Sequence, residues 1–289
     1  MRHTLKVKTS WVLFCLLMVF TEVAVLADDS LTMGVFPRRN SGVTIKMFKP
    51  LAKYLSQETG MKIKLETAKD FPAFWNSVKA KRYDIAHFNQ LHYLMSKDIV
   101  GYKVFAKNEE FGKSNIAPAI AVRKDSGIET LQDLKGKNII FGGGRLAMIA
   151  HVGNKNILNE AGLVPGSYNA MLAKNPPNAA MAVYYKKADA AGIGDVGLNI
   201  PMLKKKIDVE QMKFLTIGKS QPHIPWVYKT SLNADMQSKI DAAFIKLNKT
   251  DEGKAILKRA GMTGMDVATD SDYDISRAEM KKYRKNNKS

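Results

Sequence analysis

Gly142, Gly143 and Gly144 stand in a row between an apolar run ending at Phe141 and an amphipathic stretch, and Arg145 follows them directly. Residues of these types, so spaced, could hold an anion. Glycine lets backbone come close to a ligand, and a helix starting just beyond offers unpaired N–H donors at the positive end of its dipole. Arg145 would add a bidentate clamp for an oxyanion. The plainer alternative is a tight strand-to-helix turn that needs positive φ, with an arginine that opposes the dipole and points to solvent.

Other residues are candidates for the same cleft. His87 and Asn89 end an apolar run where cleft residues sit, although a structural histidine satisfied by its neighbours is the commoner case. Tyr93 reads by pattern as a half-buried aromatic, and Phe36, Trp75 and Trp226 either line a site or pack a core. Asp195, after Gly192-Ile193-Gly194, could receive a ligand cation or cap a turn. His87, His92, His151 and His223 follow no recognised metal-ligand spacing, and no cysteine or carboxylate cluster joins them. No metal or cofactor is expected. Enzymatic chemistry would need a nucleophile or a general base with an orienting partner, and none can be read here.

These residues need elements to position them. Leu31 to Phe36 reads as a buried strand, and Phe48, Leu51, Ala52 and Leu55 recur at helical spacing before Gly60. Met61, Ile63 and Leu65 alternate with polar residues as in a half-buried strand. A helix from about Phe74 to Lys81 and a strand from Asp84 to Phe88 complete a β-α-β-α-β pattern, so the fold class is α/β. Ala117 to Val122 is apolar and extended, and marks a crossing into a second lobe. There the spacing predicts strands at Asn138 to Phe141, Ala190 to Ile193 and Phe214 to Ile217. It predicts helices at about Arg145 to Ala161 and Asn178 to Lys187. The segment Pro222-His223-Ile224-Pro225 reads as the return linker. Asn233 caps an amphipathic helix bearing Met236, Ile240, Phe244 and Leu247, another helix runs from about Asp251 to Ala260 and is stopped by Gly261, and the lysine-rich end has no core pattern and is expected to fray. The expected organisation is residues 28–116 plus 223–289 as lobe I and 117–222 as lobe II. A ligand cleft lies between them, beyond the carboxyl ends of the strands.

The N-terminus sets the compartment. Arg2, Lys6 and Lys8 precede an apolar run from Trp11 to Phe20, and Val25-Leu26-Ala27 supplies small residues before Asp28. That order predicts a secretory signal peptide over residues 1–27, cleaved after Ala27, and hence the periplasm. The run is short for a bilayer span. Cys15, the one cysteine, lies inside it. The whole chain carries a formal charge of +18, and losing three cations and one anion with the leader leaves +16. Such a balance favours acidic partners, but the lysines are scattered as on solvated faces, and a secreted protein is not expected to bind nucleic acid.

Several segments together resemble a known family. Met33-Gly34-Val35-Phe36-Pro37-Arg38-Arg39, Phe48-Lys49-Pro50-Leu51-Ala52-Lys53-Tyr54-Leu55, and Tyr83-Asp84-Ile85-Ala86-His87-Phe88 with Tyr93 carry the likeness. Leu131 to Lys137, the glycine turn and Asp270-Ser271-Asp272-Tyr273-Asp274 continue it. In order and spacing they resemble the phosphate/phosphite/phosphonate-binding periplasmic proteins of ABC importers. The resemblance implies a two-lobed periplasmic binding protein fold of type II with two crossovers. It implies a monomeric receptor, not an enzyme, that takes a small anion or zwitterion to an inner-membrane ABC permease. It also implies an anion site at the turn after Phe141 and a pocket role for Tyr93. This chain departs from the family pattern at two places. Gly142 to Arg145 replaces a Ser/Thr-rich turn, and Pro176-Pro177 stands near where a histidine is usual. These departures leave open a neutral or apolar ligand without phosphorus, and the same fold also serves ligand-sensing modules of sensor kinases and chemoreceptors.

Overall fold

The computed structural model describes residues 30–287. The expected leader, residues 1–27, lies outside the described residues. The chain opens β1 (Ser30–Val35), α1 (Ser41–Thr59), β2 (Lys62–Glu66), α2 (Phe71–Lys79), β3 (Ile85–His87), α3 (Gln90–Val100) and β4 (Tyr102–Glu109). It crosses through β5 (Asn115–Ile116) into β6 (Pro118–Arg123), β7 (Asn138–Gly142), α4 (Asn154–Glu160), β8 (Asn169–Ala173), α5 (Pro176–Tyr184), β9 (Ala190–Gly194), α6 (Pro201–Lys204) and β10 (Met212–Ile217). It returns through β11 (Gln221–Pro222) to β12 (Pro225–Lys229), α7 (Ala234–Leu247), α8 (Asp251–Ala260), β13 (Gly264–Val267) and α9 (Asp274–Asn286).

These strands make two large sheets, one per lobe. The first has the order β13-β4-β12-β3-β1-β2 and the second β10-β6-β9-β7-β8. Parallel pairing of β1 with β2 and β3, and of β7 with β8 and β9, follows from the helical crossovers between them. The two crossings run side by side, because β5 and β11 pair antiparallel with Ile116 opposite Gln221. This is the α/β architecture with two crossovers that the pattern implied.

Strand alternation divides each core. Met33, Ile85, Trp226 and Tyr228 face one side of the six-stranded sheet with α1, α7 and α8, whereas Ala86 and Val227 face the side of Phe74, Tyr83 and Phe88. In the second lobe Ile139 and Phe141 face one side and Ile140 the other. Asn40 caps α1 by accepting the Gly42 N–H, and Gly60, at φ 72°, ends it in the left-handed region.

The structure departs from the sequence pattern at the start of the second-lobe helix and at the C-terminus, while that helix ends as expected, at Glu160 with Ala161 as its cap. No helix starts at Arg145. Gly143 and Gly144 have φ of 83° and 71°, the turn continues to Ala147, and a wide six-residue turn over Met148–Gly153 leads into α4. Just after that turn the Asn154 side-chain amide donates back to the carbonyl of Ile149 and across to that of Ile193, at 3.1 and 2.9 Å. This side chain competes for the acceptors and favours a widened ladder. The lysine-rich end is the ordered helix α9. It is held by polar and aromatic contacts to the second lobe that a hydropathy pattern does not register. The sequence pattern also does not register helix α3 or strands β4, β8, β12 and β13.

Candidate functional site

A cleft opens between the lobes where the strands of both sheets end. Lobe I contributes Phe36, Arg38 and Arg39 from the end of β1, Phe71 from α2, and Asn89 and Gln90 from the start of α3. Lobe II contributes Gly143, Ala147 to Ala150, Pro176, Pro177 and the Gly194–Ile200 stretch, and the crossing segments add Ile116 and Ile224. Ligands of open α/β sheets bind at this position, beyond the carboxyl ends of the strands.

The lobe I floor carries the charge. The Arg38 guanidinium grips the Glu110 carboxylate with both terminal nitrogens, Nη2 donating to Oε2 at 3.1 Å. Burial alone would raise the Glu110 carboxyl, but Arg38, with His223 and Arg39, overrides it and holds it below the ordinary carboxylate range. The pair is set from behind by a chain of buried groups. Asn108 donates from Nδ2 to Glu110 at 3.2 Å, and its Oδ1 accepts from Trp226 Nε1 at 2.9 Å and from His87 Nε2 at 3.2 Å. Because the Asn108 oxygen accepts, His87 carries its proton on Nε2, and burial lowers its pKa to about 3.

Arg39 is different. It forms no hydrogen bond or ion pair among the described residues, and burial, with repulsion from Arg38, outweighs the attraction of Glu110 and lowers its pKa to about 10. Even so it is charged at neutral pH. Glu110 neutralises Arg38, so Arg39 leaves the cleft with one uncompensated positive charge. A half-buried cation without a counter-charge of its own is costly unless a ligand supplies one.

The helix starts that face the cleft differ in what they offer. At α3, Asn89 Oδ1 accepts the N–H of Leu91 at 2.9 Å, and its amide nitrogen meets His92 Nδ1 at 2.8 Å, so the cap is satisfied internally. At α5, Pro176 and Pro177 occupy the first two positions and have no N–H, and the Asn175 side chain takes the Asn178 N–H at 2.9 Å. The turn at Met148 has no side-chain cap, and the first N–H groups of a helical turn lack acceptors within it.

The sequence-derived candidates distribute unevenly. Phe36, Asn89 and Gly143 line the cleft. Gly142 lies buried beneath the start of α5, where an added Cβ would stand 2.5 Å from Pro176 Cα. Gly144 sits on the turn with open space about it. Arg145 is exposed and outside the cleft, on the side of His151 and Lys155, whose charged forms it disfavours. The turn does not become a helix until three residues later, which carries Arg145 past the site. Tyr93 also lies elsewhere: its hydroxyl donates to Asp270, which Lys97 Nζ meets at 2.6 Å and Arg277 also binds. Trp75 stacks on His92 with ring centres 5.9 Å apart. Asp195 accepts the Ala117 N–H at 3.0 Å at the crossing and stands 3.9 Å from Lys113 Nζ. Sequence reasoning missed Arg38, Arg39, Gln90 and the apolar wall of Pro176, Pro177, Val196 and Ile200. Their available signal was position, two arginines directly after the end of a buried strand.

Among the described residues no group of three or more His, Cys, Asp or Glu side chains is placed to share a metal ion. No described helix is long and apolar enough to cross a membrane.

The comparisons with known proteins agree with this geometry. Residues 33–273 match the family model for the phosphonate ABC transporter periplasmic substrate-binding protein. The phosphonates-binding periplasmic protein of Escherichia coli (strain K12) is 24% identical over 260 residues, which span 84% of this chain and 73% of that protein. A binding-protein component of an ABC phosphonate transporter from Pseudomonas aeruginosa superposes with a TM-score of 0.78 at 19% identity, covering 91% of this chain and 90% of that one. PhnD1 of Prochlorococcus marinus (MIT 9301), solved in complex with methylphosphonate, gives 0.79 at 16% identity, covering 89% and 99%. This chain therefore belongs to the phosphonate family of ABC-transporter periplasmic substrate-binding proteins.

Proposed function

We propose that the protein is the periplasmic receptor of an ABC importer for a small organic anion of the phosphonate type, with no chemistry of its own. The observation that carries this reading is Arg39, a cation without a partner in the cleft between two lobes. Around it stand the Arg38–Glu110 pair, which fixes the floor, and the N–H groups that open the uncapped turn at Met148. The reading includes export by a leader cleaved after Ala27 and delivery of the ligand, by a monomer, to an inner-membrane permease. Closure is about the paired crossing strands β5 and β11, with residues 28–116 and 223–289 moving against 117–222. Phe36, Asn89 and Gly143 keep their candidate role as ligand neighbours.

The test is a thermal-shift screen of the mature protein against phosphate, phosphite, alkylphosphonates, amines and neutral metabolites. A ligand that binds only the folded state raises the melting temperature. Stabilisation by anions alone is expected, and stabilisation by a neutral compound alone would overturn the reading.

A further inference from the structure

The charge and donor inventory of the cleft narrows the ligand beyond the family reading, on which this inference rests. Three observations bear on it independently.

The first is charge. Arg38 and Arg39 are the charged side chains lining the cleft, and Glu110 neutralises Arg38. One net positive charge matches one negative charge. A dianion would bring a second charge out of water with nothing to offset it.

The second is the loss of donors on lobe II. Gly142 has no Cβ, so the start of α5 can press against the strand end, with Pro176 Cα and N at 2.5 and 2.7 Å from where a Cβ would stand. What this contact brings to the cleft is two residues without N–H groups. The next two N–H groups of α5, at Asn178 and Ala179, are taken by the Asn175 side chain and carbonyl at 2.9 and 3.2 Å. A helix start that would otherwise solvate an oxyanion is instead an apolar wall, continued by Val196 and Ile200.

The third is size. The cleft holds about 80 Å³ of free space. At roughly 30 Å³ per water in the liquid, that is room for about three waters.

We infer that the cleft selects a small, singly charged organic oxyanion, its charge held by Arg39 and the opening N–H groups at Met148, its short apolar body against Pro176, Pro177, Val196 and Ile200. Inorganic phosphate and sulfate fill none of that wall and leave its apolar surface wet, and a fully ionised phosphonate carries one charge too many. Pro176 and Pro177 are the specificity-determining residues, because they exclude a second oxyanion contact from lobe II.

The experiment is calorimetry on the mature protein with propanesulfonate, butyrate, propylphosphonate, sulfate and phosphate, at pH 8 and pH 6.5. Propanesulfonate or butyrate is expected to bind at least about tenfold tighter than sulfate and phosphate. Propylphosphonate should bind more tightly at pH 6.5, where more of it carries a single charge. Arg39→Gln should weaken every anion at least about tenfold, and Pro177→Ser, which restores a donor, should narrow the preference against phosphate. Phosphate or dianionic propylphosphonate binding as tightly as propanesulfonate overturns this inference and leaves the anion-receptor reading standing. If no anion of the panel binds, both fall.

Discussion

Glu110 Oε2 stands 3.7 Å from Nε2 of His223, with no hydrogen bond between them. His223 Nδ1 accepts the Ile224 N–H at 2.8 Å, so the ring's proton is on Nε2 and faces the carboxylate. The ring is fully buried beside the return crossing. Burial, with repulsion from Arg38, outweighs the attraction of Glu110 and Asp195 and lowers its pKa to about 4. A neutral histidine therefore sits next to an ionised carboxylate that Arg38 already satisfies.

The same burial acts on four histidines and predicts acid sensitivity. His87 and His92 are lowered to about 3, and His151 and His223 to about 4. The unfolded chain takes up these protons near pH 6.5 while the folded one refuses them. Stability is thus complete above about pH 6.5 and falls as pH drops toward 4, by up to about 1.4 kcal/mol per pH unit for each ring. Glu110 works in the same direction at lower pH, since its depressed pKa gives stability that is lost only below the ordinary carboxylate range. Melting curves from pH 8 to 4 should show a plateau and then a steady fall beginning near 6.5. A melting temperature flat down to pH 5 would reject the neutral, buried assignment.

Glu110→Gln removes the counter-charge of Arg38 and leaves two neighbouring cations in one buried site. Breaking a buried pair from one side costs about 3–5 kcal/mol. Urea unfolding should report a loss of that size, and a change below about 1 kcal/mol would mean that Arg38 carries its charge into solvent.

The glycine run separates into a packing role and a conformational one. Gly142→Ala drives a methyl into the Pro176 backbone and should cost about 1–3 kcal/mol or more, because backbone cannot step aside. Gly144→Ala meets open space but keeps φ at 71°, so its cost should be only about 1 kcal/mol. Equal losses in the two variants would contradict the contact with α5.

How far the sequence reaches depends on the range of the interaction. Strands β1 and β3 and helices α1, α7 and α8 carry their own periodicity, so alternation and caps were enough to find them. The wide turn at Met148 is set by Asn154 reaching the Ile193 carbonyl 39 residues away, and α9 is held by partners more than a hundred residues distant. Neither leaves a local trace. Arg38 and Arg39 are adjacent in sequence and look alike. Only Glu110, 72 residues on, makes one a neutralised floor residue and the other a free cation. Tyr93 reads as a pocket aromatic until Asp270, 177 residues away, claims its hydroxyl.

Two substitutions test those reassignments directly. Tyr93→Phe removes the bond to Asp270 and should lower stability by about 1 kcal/mol while leaving ligand affinity unchanged. Arg145→Ala should leave affinity within about twofold, since a charge-assisted contact worth about 1.5–3 kcal/mol is not made there. A loss of tenfold or more in either variant, measured by calorimetry, would return that residue to the cleft.

Closure of the lobes must contend with α9. By sequence it follows the return crossing, and it stays tied to lobe I, where Arg277 binds Asp270, and to β11, where Ser276 Oγ donates to Gln221 at 2.7 Å. Yet it also grips lobe II: Asn156 Nδ2 donates to the Glu279 carbonyl at 2.8 Å, His151 Nε2 meets the Tyr283 hydroxyl at 3.2 Å, and Lys282 pairs with Glu160. A hinge at β5 and β11 alone would leave this helix straddling the moving boundary, so opening must break one set of contacts. The lobe II set comprises these hydrogen bonds, a partly exposed ion pair worth at most about 1 kcal/mol, and the packing of Met280 and Tyr283 against Met148 and Val152. Small-angle scattering should therefore give a larger radius of gyration without ligand than with it. Asn156→Ala combined with Tyr283→Phe should widen that difference by freeing the open form, and should weaken ligand binding because the closed form loses support. An unchanged radius on saturation with a bound anion would rule out closure about these strands. A wider ligand-free form in the double variant with unchanged affinity would show that α9 travels with lobe I and takes no part in holding the cleft shut.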